Sequence, residues 1–139
     1  MAISGVNHIT LAVSDLSRSL QFYEDVLGAR RAAIWPRGAY LELGTLWLCL
    51  EVSTEMSPRG DDSHIALSCS PGGFADLARK IAASARLWKD NRSEGASLYF
   101  LDPDGHKLEL HEGDLASRLA HYRTHPAPGM TLTDAKTPS

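Results

Sequence analysis

The sequence predicts an α+β fold built from two copies of one supersecondary unit. Three observations predict it. First, His8-Ile9-Thr10-Leu11-Ala12-Val13-Ser14 can be laid on His64-Ile65-Ala66-Leu67-Ser68-Cys69-Ser70. Second, each segment is followed by a helical pattern and then by strands, so each half reads strand, helix, strand, strand, strand. Third, the chain has 139 residues, and a half of about 60 residues buries too little core to stand alone. The two halves must pair, within the chain or between chains.

Each element has its own signal. Residues 7–13 are rich in β-formers and read as a strand. Ser14-Asp15-Leu16-Ser17 is turn chemistry with helix-capping side chains. Leu16, Leu20, Phe22, Tyr23, Val26 and Leu27 follow at near-helical spacing up to Gly28, a natural stop. Residues 30–35 read as a strand, Pro36-Arg37-Gly38 as a turn, and 39–43 with 46–52 as a hairpin around Gly44-Thr45. The polar stretch 53–62, with Pro58 and Gly60, reads as a linker between modules at about 5–55 and 61–123 of a single domain, 1–139.

The pattern then restarts. Residues 63–70 read as a strand and Pro71-Gly72-Gly73 as a turn. A helix is predicted over 74–85, with Phe74, Leu77, Ala78, Ile81 and Ala82 on one face. A short strand, 87–89, precedes a polar loop, 90–95. Residues 98–101 and 106–111 flank Asp102-Pro103-Asp104-Gly105, a strong turn sequence, and read as a hairpin. Residues 114–123 read as a short helix, and the tail 124–139 as extended and frayed at its end.

Composition bounds the function. The chain is 43% hydrophobic and 22% charged with a net charge of −3, ordinary for a globular protein. No global basic field argues for nucleic acid, so an anionic ligand must be held by local positive groups or a metal. Cys49 and Cys69 lie in apolar runs outside any CxxC pair and read as free core cysteines. The N-terminal residues lack a signal-peptide pattern, and no apolar stretch approaches a membrane span. A cytoplasmic, reducing setting is the expectation.

The repeat also selects candidate ligands. Laying the hairpins on each other matches Tyr40-Leu41-Glu42-Leu43 with Tyr99-Phe100-Leu101-Asp102 and puts Cys49 opposite Glu109. The four repeat-related positions are therefore His8, Cys49, His64 and Glu109. On an alternating strand Glu109 faces away from Leu108 and Leu110. Two imidazoles and a carboxylate leave positions open on a divalent ion, the arrangement of a catalytic site. His106, His111, His121 and His125 lack that support and read as surface residues, with His111 a weak competitor on the strand face of Glu109. The loop Lys89-Asp90-Asn91-Arg92-Ser93-Glu94-Gly95-Ala96-Ser97 presents oxygens that can wrap a hard cation, and positive groups and hydroxyls suited to a phosphonate. On composition alone it reads as a solvated surface loop. Trp35, Tyr40, Trp47 and Tyr99 can line a pocket but by pattern alone are more often core or interface aromatics, and Arg118 reads by default as a solvated charge.

Several stretches resemble a known family. These are His8-Ile9-Thr10-Leu11-Ala12-Val13, Gly38-Ala39-Tyr40-Leu41-Glu42-Leu43-Gly44 with Leu46-Trp47-Leu48-Cys49-Leu50, the mid-chain His64, and above all the run from Asn91-Arg92-Ser93-Glu94-Gly95 through Tyr99-Phe100-Leu101-Asp102-Pro103-Asp104-Gly105 to Glu109. Over residues 5–130 the chain resembles the fosfomycin-resistance glutathione transferases (FosA type) of the vicinal oxygen chelate, or glyoxalase–bleomycin resistance, superfamily. The resemblance implies a cup of two βαβββ modules, a homodimer with exchanged modules, Mn²⁺ with K⁺ as activator, and glutathione as co-substrate. It implies His8, His64 and Glu109 as metal ligands, His8 reaching the partner chain's metal. It implies Asn91, Ser93, Gly95 and Ser97 as the K⁺ site, with Glu94 alongside. Lys89, Ser93, Tyr99, Arg118 and Trp47 are then the substrate set, Thr10 sits by the epoxide carbon, Tyr40 is a candidate for activating the thiol, and Trp35 and Arg92 lie toward the thiol channel. The sequence departs from the family at Asp62, where a Tyr is common, at Ile65-Ala66-Leu67, which is less aromatic, and at Pro36-Arg37 beside Trp35. Competing readings are a fosfomycin hydrolase, a bacillithiol transferase, a glyoxalase, an extradiol dioxygenase, or a drug-binding protein without catalysis.

Overall fold

The alternation of the first strand sets the two faces of the fold. In β1 (His8–Val13), Leu11 and Val13 turn into the core while His8 and Thr10 stand on the open face. A computed structural model describes residues 2–133 of the protein. Asp15 caps α1 (Leu16–Gln21) from extended backbone, its carboxylate accepting the Arg18 N–H at 3.0 Å. The apolar spacing predicts one helix up to Gly28. The chain instead widens after Gln21 into a π-helical turn, Phe22–Val26. Neighbouring residues of an α-helix point about 100° apart. The wider turn brings both Phe22 and Tyr23 inward, edge to face at 5.2 Å. Gly28, at φ 78°, ends it.

β2 (Arg30–Trp35), β3 (Gly38–Leu43) and β4 (Leu46–Val52) complete a sheet of order β1-β4-β3-β2, in which only β1 and β4 run parallel. The second half repeats this. β5 (Ile65–Ser68), α2 (Phe74–Ser84), β6 (Leu87–Lys89), β7 (Ala96–Leu101) and β8 (Lys107–Glu112) give the order β5-β8-β7-β6, with β5 parallel to β8. α3 (Leu115–Thr124) follows, opened by a reciprocal capping box between Asp114 and Ser117. The registers agree residue for residue: Thr10 pairs with Cys49 and Cys49 with Tyr40, while Ala66 pairs with Glu109 and Glu109 with Tyr99.

Some boundaries differ from the sequence pattern for local reasons. β5 starts at Ile65 rather than 63 because the Ser63 N–H is taken by the Asp61 carboxylate at 3.0 Å. β8 starts at Lys107 because the His106 N–H donates to Asp102 Oδ1 at 2.9 Å, closing the turn. β7 reaches back to Ala96, and α3 runs through Thr124, the first residue of the expected tail. Residues 125–133 form no helix or strand, and the frayed end expected at 134–139 lies outside the described residues. Both cysteines are free. No helix among the described residues is long and apolar enough to cross a membrane.

The halves share one core, in which Phe22, Tyr23, Leu41 and Leu50 meet Ile81, Phe100 and Leu108. The Phe22 and Phe100 rings lie 6.2 Å apart across it. Polar contacts close the seam. The Tyr23 hydroxyl donates to Asp102 Oδ2 at 2.8 Å, and Asp102 Oδ1 accepts the N–H groups of Asp104 and His106. Asp104 accepts from the Ser14 N–H and hydroxyl and from Arg18 Nη2. His106 is not a surface residue as its pattern suggested. Its Nε2 lies 2.7 Å from the Ala12 carbonyl, which can only accept, so His106 donates across the seam.

Burial, followed by the charge and hydrogen bond of Asp102, raises the Tyr23 phenol pKa well above its ordinary value. The unfolded chain loses that proton above pH ~10 while the folded chain keeps it, so stability falls as pH rises past that point. Tyr23→Phe is expected to cost about 1–3 kcal/mol near neutral pH, because Asp102 loses a donor. Urea unfolding at neutral and alkaline pH checks this: the variant should show a smaller alkaline loss than the parent, and an equal loss would refute the assignment.

Candidate metal centre

Glu109 lies mid-strand on β8, opposite in direction to Leu108 and Leu110, and is only 6% exposed. A carboxylate buried this far needs donors or a cation. Ser97 on β7 supplies one, its hydroxyl donating to Glu109 Oε2 at 2.7 Å. On the other oxygen, His64 Nε2 lies 2.9 Å from Oε1. The His64 Nδ1 is 2.7 Å from the Asp62 carbonyl. A carbonyl only accepts, so Nδ1 carries a proton, and Nε2 then faces the carboxylate with its lone pair. Two lone pairs at that distance require a cation between them, either a proton or a metal ion. This donor set, imidazole nitrogen plus carboxylate oxygen with the imidazole oriented by a backbone carbonyl, suits a divalent metal.

Aromatic rings wall the pair. The Tyr99 and Trp88 centroids lie 5.7 and 5.4 Å from that of His64, and the Trp88 indole donates to the Leu108 carbonyl at 3.1 Å. Strict alternation in β6 would send Trp88 and Lys89 to opposite faces. A register shift lets both reach Tyr99, the Trp88 ring at 5.2 Å and the Lys89 ammonium at 5.4 Å. Trp88 was not among the residues the pattern singled out. Its ring packs on Tyr99 at 5.2 Å, and on the first sheet Trp35 packs on Tyr40 at 4.8 Å from a different register position. Asp62 serves twice. Its carbonyl orients His64, and its carboxylate lies 3.9 Å from the Lys89 ammonium.

The other predicted residues gather on the first sheet. His8 is exposed, with Nδ1 2.7 Å from Asn7 Oδ1 and its ring 4.3 Å from that of Trp47. Tyr40 continues the array 5.2 Å from Trp47. Thr10 stands on the same face, paired in register with Cys49, whose thiol pKa is raised by burial. Among the described residues no three His, Cys, Asp or Glu side chains meet in a group that could hold a metal ion. His8 is therefore not brought to His64 and Glu109 within one chain.

The loop between β6 and β7 is tied internally. Asn91 Nδ2 donates to the Gly95 carbonyl at 2.8 Å, and Asn91 Oδ1 accepts the Ser93 N–H and hydroxyl, each at 3.1 Å. Arg118 is not a solvated charge: its Nε donates to Glu94 Oε2 at 3.2 Å, fastening α3 to the loop. Arg92 is exposed. Ser97, at the loop's end, lies on β7 and gives its hydroxyl proton to Glu109. His111 also departs from the surface reading. It is half-buried, with Nδ1 2.7 Å from Ser97 Oγ and 3.5 Å from Glu109 Oε2. His121 and His125 stack on each other at 4.7 Å at the end of α3.

Comparison with known proteins agrees with this geometry. Residues 5–110 match the model of the Glyoxalase/Bleomycin resistance protein/Dioxygenase superfamily. The chain is 47% identical to the glutathione transferase FosA of Serratia marcescens, over 94% of its own length and 96% of that protein. It is 37% identical to the metallothiol transferase FosB of Lysinibacillus sphaericus, over 88% of its own length and 92% of that protein. Among solved structures it superposes, with TM-score 0.77, on a mutant of the fosfomycin resistance protein FosX from Listeria monocytogenes complexed with Mn(II) and 1S,2S-dihydroxypropylphosphonic acid. The two share 30% identity over 86% of this chain and 98% of that one. With its doubled sheet, its paired registers and these relatives, the chain belongs to the glyoxalase/bleomycin resistance protein/dioxygenase superfamily.

Proposed function

We propose that the protein inactivates fosfomycin by adding glutathione to its epoxide carbon. The observation that carries this reading is the buried Glu109 carboxylate 2.9 Å from His64 Nε2, a donor set that suits a divalent cation. Identity of 47% to a FosA glutathione transferase, against 37% to a FosB metallothiol transferase, favours glutathione over other thiols and over water. His64, Glu109 and His8 of the partner subunit would hold Mn²⁺, in a homodimer with exchanged modules. His8 supports this by being exposed and by presenting Nε2, since Nδ1 is engaged with Asn7. A divalent ion there supplies Lewis acidity to the epoxide oxygen and charge to the phosphonate.

The remaining work falls to side chains of this chain. Lys89 and Arg118 neutralise the phosphonate, and the hydroxyls of Tyr99 and Ser93 donate to it. That neutralisation lets an anionic sulfur approach. A C–S bond forms, the C–O bond of the ring breaks, and the oxygen takes a proton to become a hydroxyl. Thr10 lies by the attacked carbon, Trp47 closes the substrate side, and Tyr40 assists removal of the thiol proton. Trp35 and Arg92 border the thiol channel. Asn91, Ser93, Gly95 and Ser97 would hold K⁺ through loop oxygens, and the reaction takes place in the cytoplasm.

Mass spectrometry after mixing protein, Mn²⁺, glutathione and fosfomycin should give the one-to-one adduct. A hydrated diol instead, or unchanged drug, would refute the transferase reading. Glu109→Ala should abolish turnover while circular dichroism remains that of the parent; near-parental activity would remove Glu109 from the ligand set. Arg118→Ala should raise KM for fosfomycin by about tenfold or more, since a phosphonate loses a charged partner, and an unchanged KM would exclude that role.

A further inference from the structure

The hydrogen inventory of the site does not stop at Glu109. The Ser97 hydroxyl has one proton, and Glu109 Oε2 receives it at 2.7 Å, because a carboxylate can only accept. His111 Nδ1, 2.7 Å from the same hydroxyl oxygen, must therefore be the donor there. A directed chain results: His111 Nδ1–H donates to Ser97 Oγ and Ser97 O–H donates to Glu109 Oε2, while the other carboxylate oxygen, Oε1, faces His64 Nε2. The His111 ring is held in place by backbone. A Cβ added at Gly95 would lie 3.0 Å from His111 Cε1, and one added at Gly113 would lie 3.0 Å from Nε2. Both glycines have left-handed φ, 83° and 139°, so the chain wraps the ring where a side chain is excluded.

We infer that His111 is a positioning residue: it orients the Ser97 hydroxyl, which turns Glu109 Oε1 toward His64 and so sets the affinity of the site for a divalent metal. Outer partners of metal ligands fix ligand direction, and their loss typically costs about 10–100-fold in affinity. His111 touches neither metal nor substrate and works only through Ser97. The inference rests on the metal reading proposed above.

The test is titration of the full-length, metal-stripped protein with Mn²⁺ in K⁺-free buffer, following free Mn²⁺ by electron paramagnetic resonance. His111→Ala and Ser97→Ala should each weaken binding by about 10–100-fold. The double variant should bind no more weakly than either single one. His111→Asn, whose amide N–H replaces Nδ1–H, should stay near the parental affinity, and His111→Gln, whose amide sits one methylene further out, should not. His111→Ala with parental affinity, or a double variant whose loss is the product of the two single losses, overturns the inference. Should His111→Ala fail to fold, equal affinities in the Asn and Gln variants overturn it instead. A parental protein that takes no Mn²⁺ would refute the metal reading itself. A parent that binds, a Glu109→Ala that does not and a His111→Ala that matches the parent would refute only the role of His111.

Discussion

Asp102 is a buried negative charge that both halves of the chain share. Tyr23, from the π-helical turn of the first half, donates to one oxygen, and the N–H groups of Asp104 and His106 donate to the other. Left without these donors, a carboxylate 4% exposed would destabilise the fold. Its demand shapes the turn that follows, and that turn fixes where β8 begins and how it pairs with β7. The same turn carries Asp104 and His106 onto Ser14, Arg18 and Ala12. Docking of the halves, the register of the last hairpin and the placement of Glu109 against Tyr99 and Ala66 thus follow from one buried charge.

The two sheets share a frame and differ in what the frame presents. At the centre of the fourth strand the first sheet carries the Cys49 thiol beside Thr10 and Tyr40, and the second carries the Glu109 carboxylate beside Ala66 and Tyr99. The substitution of carboxylate for thiol changes the surrounding chemistry. Cys49 sits in apolar burial, which raises its pKa. Glu109 instead recruits Ser97 and His64, with His111 and Asp62 behind them. The aromatic bracket is common to both faces, Trp35 on Tyr40 and Trp88 on Tyr99. One supersecondary unit used twice therefore yields an aromatic-lined face in one copy and a polar centre of carboxylate, hydroxyl and imidazole in the other.

Much of this was legible in the chain itself. The overlay of His8–Ser14 on His64–Ser70 and of Cys49 on Glu109 is reproduced by the strand registers, because a period of two leaves no freedom once one residue of a strand is matched. The Asp15 cap, the Gly28 stop and the Asp102-Pro103-Asp104-Gly105 turn were legible because each depends on its own neighbours. The π-helical turn was not legible. Helical periodicity cannot distinguish a widened turn from a regular one when two adjacent aromatics both suit a core. His106 and His111 were misjudged as surface residues because imidazole alone does not reveal its partner; the Ala12 carbonyl and the Ser97 hydroxyl come from other strands.

Taken alone, the sequence determined the elements, their duplication and the positions of the candidate ligands, since these follow from local chemistry and from periodicity along the strand. The tertiary structure alone decided which donors converge. It brought Ser97 and His64 to opposite oxygens of Glu109 and Lys89 to Asp62 and Tyr99, while His8 stayed on the other sheet. Convergence is a property of how sheets and loops pack, and a buried carboxylate takes as partners whatever groups that packing brings within hydrogen-bonding distance.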